Sequence, residues 1–350
     1  MKLIQKIGLI VILLAGFAFD GNAQQAFRTT STSTIPFYQY VPTDYNANSN
    51  KYPIVIFLHG IGERCPNTND KNILDDYIHN VAKLGPPNSV KNGTNFPFIL
   101  ISPQLKNNYG SWPAWYVMEV INYVKSYLRV DEKRIYITGL SMGGYGAWTM
   151  AEDYPTLFAA VAPVCGAYNR TSLASRIAKE NLPVWAFHGT KDTTVPYSRT
   201  VNMVNAINAS TPKPSPLAKV TLYTDIYHDA WKYAYRPDHS KHTPNLYDWI
   251  KLYTNTYNNG NRIPTANANA DQTKYLSSSR STVIYGSATD DGSIASYRWT
   301  KIAGPAATIS GVDTKTLSVS NLLAGTYVYR LTVKDYSGNS DSDYVRIIVK

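Results

Sequence analysis

Short, almost continuously apolar runs at residues 54–58, 98–102, 135–138, 159–164, 184–187 and 220–223 alternate with longer stretches whose apolar positions recur at helical spacing. A strand exposed on one face alternates apolar with polar residues, whereas a strand covered on both faces is apolar throughout. The runs therefore predict an α/β unit: a mainly parallel sheet flanked by helices at 72–84, 115–128, 144–153, 173–179, 198–207 and 244–252. Residues 27–41 predict an antiparallel pair at the sheet edge. Around residues 257–270 the texture turns polar and rich in Gly, Pro and Asn, and no helical period returns. Short strands are predicted instead at 281–285, 295–300, 316–319, 326–334 and 343–349. Turn signals at Asp291-Gly292, Gly304-Pro305 and Ser337-Gly-Asn339 separate them, which describes a small all-β sandwich. The expected division is an α/β unit over 24–257, a linker over 258–265 and a β-sandwich over 266–350.

Ahead of these elements, Lys2 and Lys6 precede an apolar run, residues 7–19, that is short of the ~20 residues a membrane-spanning helix needs. The small-residue stretch Gly21-Asn-Ala23 follows, so residues 1–23 read as a secretory signal cleaved after Ala23. No other stretch is apolar enough to span a bilayer. The expectation is an exported bacterial protein, secreted or periplasmic. Its formal charge of +10 falls to +9 when Lys2, Lys6 and Asp20 leave with the signal. Only 17% of residues are charged and no basic run or nucleic-acid motif is present, which excludes nucleic-acid binding. The basic surface suits anionic surfaces or polymers instead. The 28 tyrosines offer flat amphipathic rings to sugars or aryl groups, although core packing accounts for most of them.

The chemistry centres on Gly139-Leu-Ser-Met-Gly143, a G-x-S-x-G pattern between an apolar strand and a helix-compatible run. A serine hydroxyl attacks carbonyls poorly unless it is exposed on a tight turn within reach of a base, and Ser141 meets that description. In a doubly covered sheet the acid and then the histidine follow the serine, each on a loop after a later strand. Asp192, in His188-Gly-Thr-Lys-Asp192, and His228, in Tyr227-His-Asp-Ala-Trp231, stand in those places. Asp225 and Asp229 are alternative acids, while His59 and His188 read as turn-packing histidines. For the oxyanion, the amide of Met142 is one expected donor and that of Ile61, in His59-Gly-Ile-Gly62, the second. Trp112 and Trp231 are candidate substrate contacts, and Trp148 a core residue. The pair His239 and His242 has an H-x-x-H spacing, but without a helix or an accompanying glutamate it implies no metal. No cofactor is expected. Cys65 and Cys165 are the only cysteines, and the sequence leaves them open between a bridge and two free thiols.

His59-Gly-Ile-Gly-Glu63, Ser102-Pro-Gln104, Gly139-Leu-Ser-Met-Gly143, His188-Gly-Thr-Lys-Asp192 and His228-Asp-Ala-Trp231 together resemble the α/β-hydrolase superfamily over roughly residues 35–255. Within it they look closest to secreted esterases of the feruloyl/acetyl-xylan esterase and polyhydroxybutyrate-depolymerase-like group, some labelled predicted peptidases. The resemblance implies Ser141, Asp192 and His228 as a triad. It also implies an acyl-enzyme route on ester substrates, polymer-linked ones above all. A peptidase of the same fold and a non-catalytic glycan-binding or cell-wall-binding protein are the alternatives. Tyr227 stands where such families often have glycine. The tail, through Asp290-Asp-Gly-Ser-Ile-Ala-Ser-Tyr-Arg-Trp299 and Leu323-Ala-Gly-Thr-Tyr327, resembles a PKD-type, immunoglobulin-like domain, which implies a spacer or a contact with polysaccharide. Asp290, Asp291 and Asp335 read as turn-forming residues rather than calcium ligands.

Overall fold

A computed structural model describes residues 25–168, 170–255, 264–290, 294–335 and 340–350. The expected signal, most of the linker, and the turns at Asp291-Gly292 and 337–339 lie outside the described residues.

The apolar runs form strands β1 (Ala26–Thr29), β2 (Pro36–Tyr40), β3 (Tyr52–Leu58), β4 (Ile99–Pro103), β5 (Val130–Leu140), β6 (Ala160–Val164), β7 (Trp185–Gly189) and β8 (Lys219–Tyr223). They make one sheet in the order β1-β2-β4-β3-β5-β6-β7-β8, parallel from β4 to β8, with β1 and β2 antiparallel at the edge. The helices are α1 (Lys71–Ile78), α2 (Gly85–Lys91), α3 (Ala114–Lys125), α4 (Met142–Asp153), α5 (Ala174–Lys179), α6 (Ser198–Asn208), α7 (Trp231–Ala234) and α8 (Leu246–Lys251).

The pleat divides the strand residues between two cores. Ile54, Ile56 and Leu58 of β3 join Val117 and Ile121 of α3 and Trp148 of α4 on one face. Val55 and Phe57 join Tyr235, Leu246 and Trp249 on the other. Both sets of β3 residues are fully buried, which is why the run carries no polar alternation. Each such side chain contributes about 1.5–3 kcal/mol of transfer free energy. The order reverses between β3, whose chain continues towards β4, and its other neighbour β5. Ligands of open α/β sheets bind at this switch, beyond the carboxyl ends of the strands.

The tail is all-β. Strands β10 (Gln272–Lys274), β13 (Ile294–Ala303), β16 (Gly325–Asp335) and β17 (Ser340–Val349) form one sheet, and β11 (Thr282–Tyr285), β14 (Thr308–Ser310) and β15 (Thr316–Ser320) another. Strands β9 (Thr265–Asn267) and β12 (Ser287–Thr289) pair with each other. Ile284, Leu317 and Val319 meet Trp299, Tyr327, Leu331 and Ile347 in a shared core, so the two sheets pack as a sandwich. The tail docks on the α/β unit. Val328 joins the core that holds α3 and α4, the hydroxyls of Tyr154 and Tyr344 lie 2.6 Å apart, and Arg346 Nη2 donates to the carbonyl of Thr32 at 2.6 Å. Cys65 and Cys165 are both buried free thiols rather than a bridge.

Candidate active site

Strand β5 turns sharply into α4 at Ser141, whose φ of 53° and ψ of −117° lie outside the regions an L-residue ordinarily occupies. The glycines around it make the turn geometrically feasible. A β-carbon on Gly143 would sit 1.9 Å from the carbonyl oxygen of Leu58, and one on Gly139 2.3 Å from that of Gly143. The backbone of α4 is thereby pressed against the end of β3, next to the turn that follows it. The amide of Ser141 donates to Val164 at 2.9 Å, which ties the elbow to β6 as well.

Two loops from later strands converge on this serine. Ser141 Oγ lies 2.8 Å from His228 Nε2, and His228 Nδ1 lies 2.7 Å from Asp192 Oδ2. The other carboxylate oxygen of Asp192 accepts from the amides of Thr194 at 2.9 Å and Val195 at 2.8 Å, so the buried acid is held at both ends. The acid and histidine loops are laced together: Thr190 N donates to Tyr223 O and Lys191 N to Ile226 O. A β-carbon on Gly189 would meet Ile226 O at 2.2 Å, which is the reason for glycine after His188. Neither alternative acid reaches the imidazole's Nδ1. Asp225 pairs with Lys191 at the surface and Asp229 with Lys232, each at 2.7 Å.

Met142 opens α4, so its amide has no acceptor within the helix. Ile61 opens a 3-10 turn, Ile61–Glu63, and the preceding Gly60 passes so close that a β-carbon there would lie 3.6 Å from Ser141 Cβ. This turn is anchored to the segment after β4. Arg64 donates to the carbonyls of Ile61, Asn107 and Tyr109, and Gln104 Nε2 to those of Glu63 and Tyr77. His59 Nε2 accepts from the amide of Leu105, and Trp112 Nε1 donates to the carbonyl of His59 at 3.0 Å. His59 is buried and neutral, its pKa pushed down to about 4 by burial.

Trp112 requires a correction. The sequence offers it as a candidate substrate contact, but it is only 2% exposed, tucked beneath the 59–65 turn and against α4 where a β-carbon on Gly146 would touch it. Its role is to support that turn. Trp231 lies edge-on to the His228 ring at a centroid distance of 5.2 Å, half-buried beside the site. Trp148 is core. His239 bonds Asp248 and His242 bonds the Tyr223 hydroxyl, so the H-x-x-H pair does not converge on a shared point.

His188 does more than pack a turn. It is fully buried, with Nε2 3.0 Å from Asp192 Oδ2 and 2.9 Å from Val195 O, and Nδ1 2.8 Å from Thr200 Oγ1. The spacing of four between His188 and Asp192 is visible in the sequence, but the shared oxygen is not. Cys165 also lies here: its sulfur, an Asp192 oxygen and a His228 nitrogen lie within 4.8 Å of one another. Burial pushes the thiol up to about 12, so it faces the pair as a neutral group.

The family model described as Esterase matches residues 29–214, more than half the chain. The chain belongs to the esterase family. A second family model, described as a PKD domain, matches residues 268–349, in keeping with the β-sandwich tail. Among curated proteins, poly(3-hydroxyalkanoate) depolymerase C of Paucimonas lemoignei is 27% identical over 139 residues, 39% of this chain and 32% of that protein. Feruloyl esterase B of Neurospora crassa is 29% identical over 160 residues, 44% of this chain and 52% of that protein. This esterase-family chain thus spans about a third of the first relative and about half of the second. The crystal structure of a thermostable esterase is similar to it with a TM-score of 0.50 and 27% identity, covering 67% of this chain and 63% of that one. Among the described residues no helix is long and apolar enough to cross a membrane.

Proposed function

We propose that this chain is a secreted carboxylic-ester hydrolase in which Ser141 is the nucleophile, His228 the base and Asp192 the orienting acid. The observation that carries the reading is the unbroken hydrogen-bond line Ser141 Oγ–His228 Nε2 and His228 Nδ1–Asp192 Oδ2, at 2.8 and 2.7 Å, beside the first amide of α4, which has no acceptor within its helix. His228 Nε2 takes the proton as Ser141 Oγ bonds to the acyl carbon, and the carbonyl oxygen becomes an oxyanion facing the amides of Met142 and Ile61. The C–O bond to the alcohol then breaks, and His228 returns the proton to the leaving oxygen. Water, deprotonated by the same imidazole, releases the acid and restores the serine. Asp192 holds Nδ1–H throughout and stabilises the imidazolium without taking its proton.

The substrate class proposed is acyl esters of plant polysaccharide, feruloyl or acetyl, or a related polymer. A feruloyl esterase and a polyester depolymerase among the relatives support an ester on a polymer. Export rests on the leader at residues 1–23, and the division into units at 24–257 and 266–350 is part of the same reading. The exposed rings of Tyr275 and Tyr285 on the tail would give a sugar chain flat faces to rest on. The test is a panel of acetylated xylan, feruloylated arabinoxylan, short aryl esters, polyhydroxybutyrate and peptides, with Ser141→Ala as control. We expect Ser141-dependent release from at least one polymer ester, with kcat/KM above that for any peptide. Better turnover of a peptide, or equal ester turnover by Ser141→Ala, would overturn the proposal.

A further inference from the structure

The carboxylate of Asp192 has two imidazoles on one oxygen. Oδ2 lies 2.7 Å from His228 Nδ1 and 3.0 Å from His188 Nε2, while Oδ1 is taken by two amides. The tautomer of His188 follows from its partners. Both neighbours of its Nε2, Asp192 Oδ2 and Val195 O, can only accept, so that nitrogen carries the proton. Its Nδ1 is then an acceptor, and the Thr200 hydroxyl, 2.8 Å away, donates to it. Burial lowers the pKa of His188, which keeps the ring neutral. The result is a line of directed bonds: Thr200 to His188, His188 to Asp192, and His228 to Asp192 from the other side.

We infer that His188 is a positioning residue for the reaction: it fixes Oδ2 of Asp192 and tempers the charge that His228 sees. This rests on the proposed roles of Ser141, Asp192 and His228. An oxygen that already accepts one N–H stabilises an imidazolium less than a free one, so losing the His188 donor would leave Asp192 a stronger partner for that cation. The other groups facing this pair are the neutral Cys165 thiol, at the end of β6, and Asp229, which is paired with Lys232. Neither bridges His188 to His228.

The experiment compares His188→Phe, His188→Gln and His188→Asn in the full chain with an aryl ester, measuring kcat, KM and the pH profile of kcat/KM. Phe fills the space without a donor. Gln can place an amide N–H near the position of Nε2, and Asn is too short to do so. We expect Phe and Asn to lower kcat about tenfold with KM little changed, a loss in the range seen when an orienting partner is removed. We also expect the acid limb of their profile to move to higher pH, with Gln restoring both. If Asp192 were simply loosened, the imidazolium would lose support and the limb would move to lower pH. An unmoved limb, a move to lower pH, or equal losses in Gln and Phe would overturn the inference. Should the Phe and Asn variants fail to fold, Thr200→Val removes only the hydroxyl that fixes the tautomer. The same direction of shift, smaller in size, is expected from it, and an unchanged profile counts against. Ser141→Ala is run alongside. If it retains activity the triad reading fails, whereas an inactive Ser141→Ala beside an unaltered His188→Phe removes only this inference.

Discussion

Ser141 is held in a backbone conformation that costs a non-glycine residue about 1–3 kcal/mol, and the packing around it must supply that energy. Gly143 is where the packing is tightest, because Leu58 O occupies the space of a β-carbon. We therefore expect Gly143→Ala to destabilise the fold by roughly 3 kcal/mol, near the upper end for overpacking, and to abolish ester turnover. Urea unfolding together with an aryl-ester assay checks both. An active Gly143→Ala protein with parent stability would contradict the elbow geometry. The serine, acid and histidine motifs are legible in the sequence because each follows an apolar strand, in the chain order that the α/β-hydrolase resemblance implies. What the sequence lacks at this scale is the contact between side chains. Trp112 and His188 are read from their loops alone, and both acquire their roles from a partner dozens of residues away or from a shared oxygen.

The six apolar runs coincide with six strands; β3, β4, β6, β7 and the apolar part of β5 are buried throughout, whereas β8 at the sheet edge leaves Lys219 and Leu222 exposed. Strand β5 starts earlier than its apolar part, at Val130, which pairs with Tyr52, and the polar stretch Asp131-Glu-Lys-Arg134 bulges towards solvent before pairing resumes at Ile54 and Ile135. Helix α2 is missing from the sequence pattern because Gly85-Pro-Pro87 reads as a turn, although proline in a first helical turn loses no bond. The expected helix at 72–84 gives way after Ile78 to a 3-10 turn. The 59–65 turn, fixed by Arg64, Gln104 and Trp112, carries a pH prediction through His59. Its folded pKa of about 4 lies below the ~6.5 of a solvated imidazole, so the unfolded chain binds a proton first as pH falls. Stability present above about pH 6.5 is lost towards pH 4, by an amount on the order of 3 kcal/mol. Urea midpoints at pH 7.5 and 4.5 should differ less in His59→Gln than in the parent. An equal difference would contradict it.

Across the whole molecule, the tail sandwich packs on the far end of α4 from the serine, about 18 Å along a helix of 12 residues. Its contacts combine the Tyr154–Tyr344 hydroxyl pair with Val328, which joins the apolar core around α3 and α4. We expect Tyr344→Ala to lower the melting temperature by about 3–5 °C while leaving kcat/KM on a small ester within about twofold. Calorimetry and a kinetic assay on one preparation decide this, and a large loss of activity at unchanged stability would contradict it. The account as a whole depends on the hydroxyl at the β5–α4 turn being the group that carries the acyl chain. Its most direct measurement is peptide mapping by mass spectrometry after reaction with a fluorophosphonate, run in parallel on His228→Ala. The account predicts one adduct, on Ser141, forming at a rate that collapses without the imidazole. An adduct on another residue, or none while ester hydrolysis continues, would contradict it.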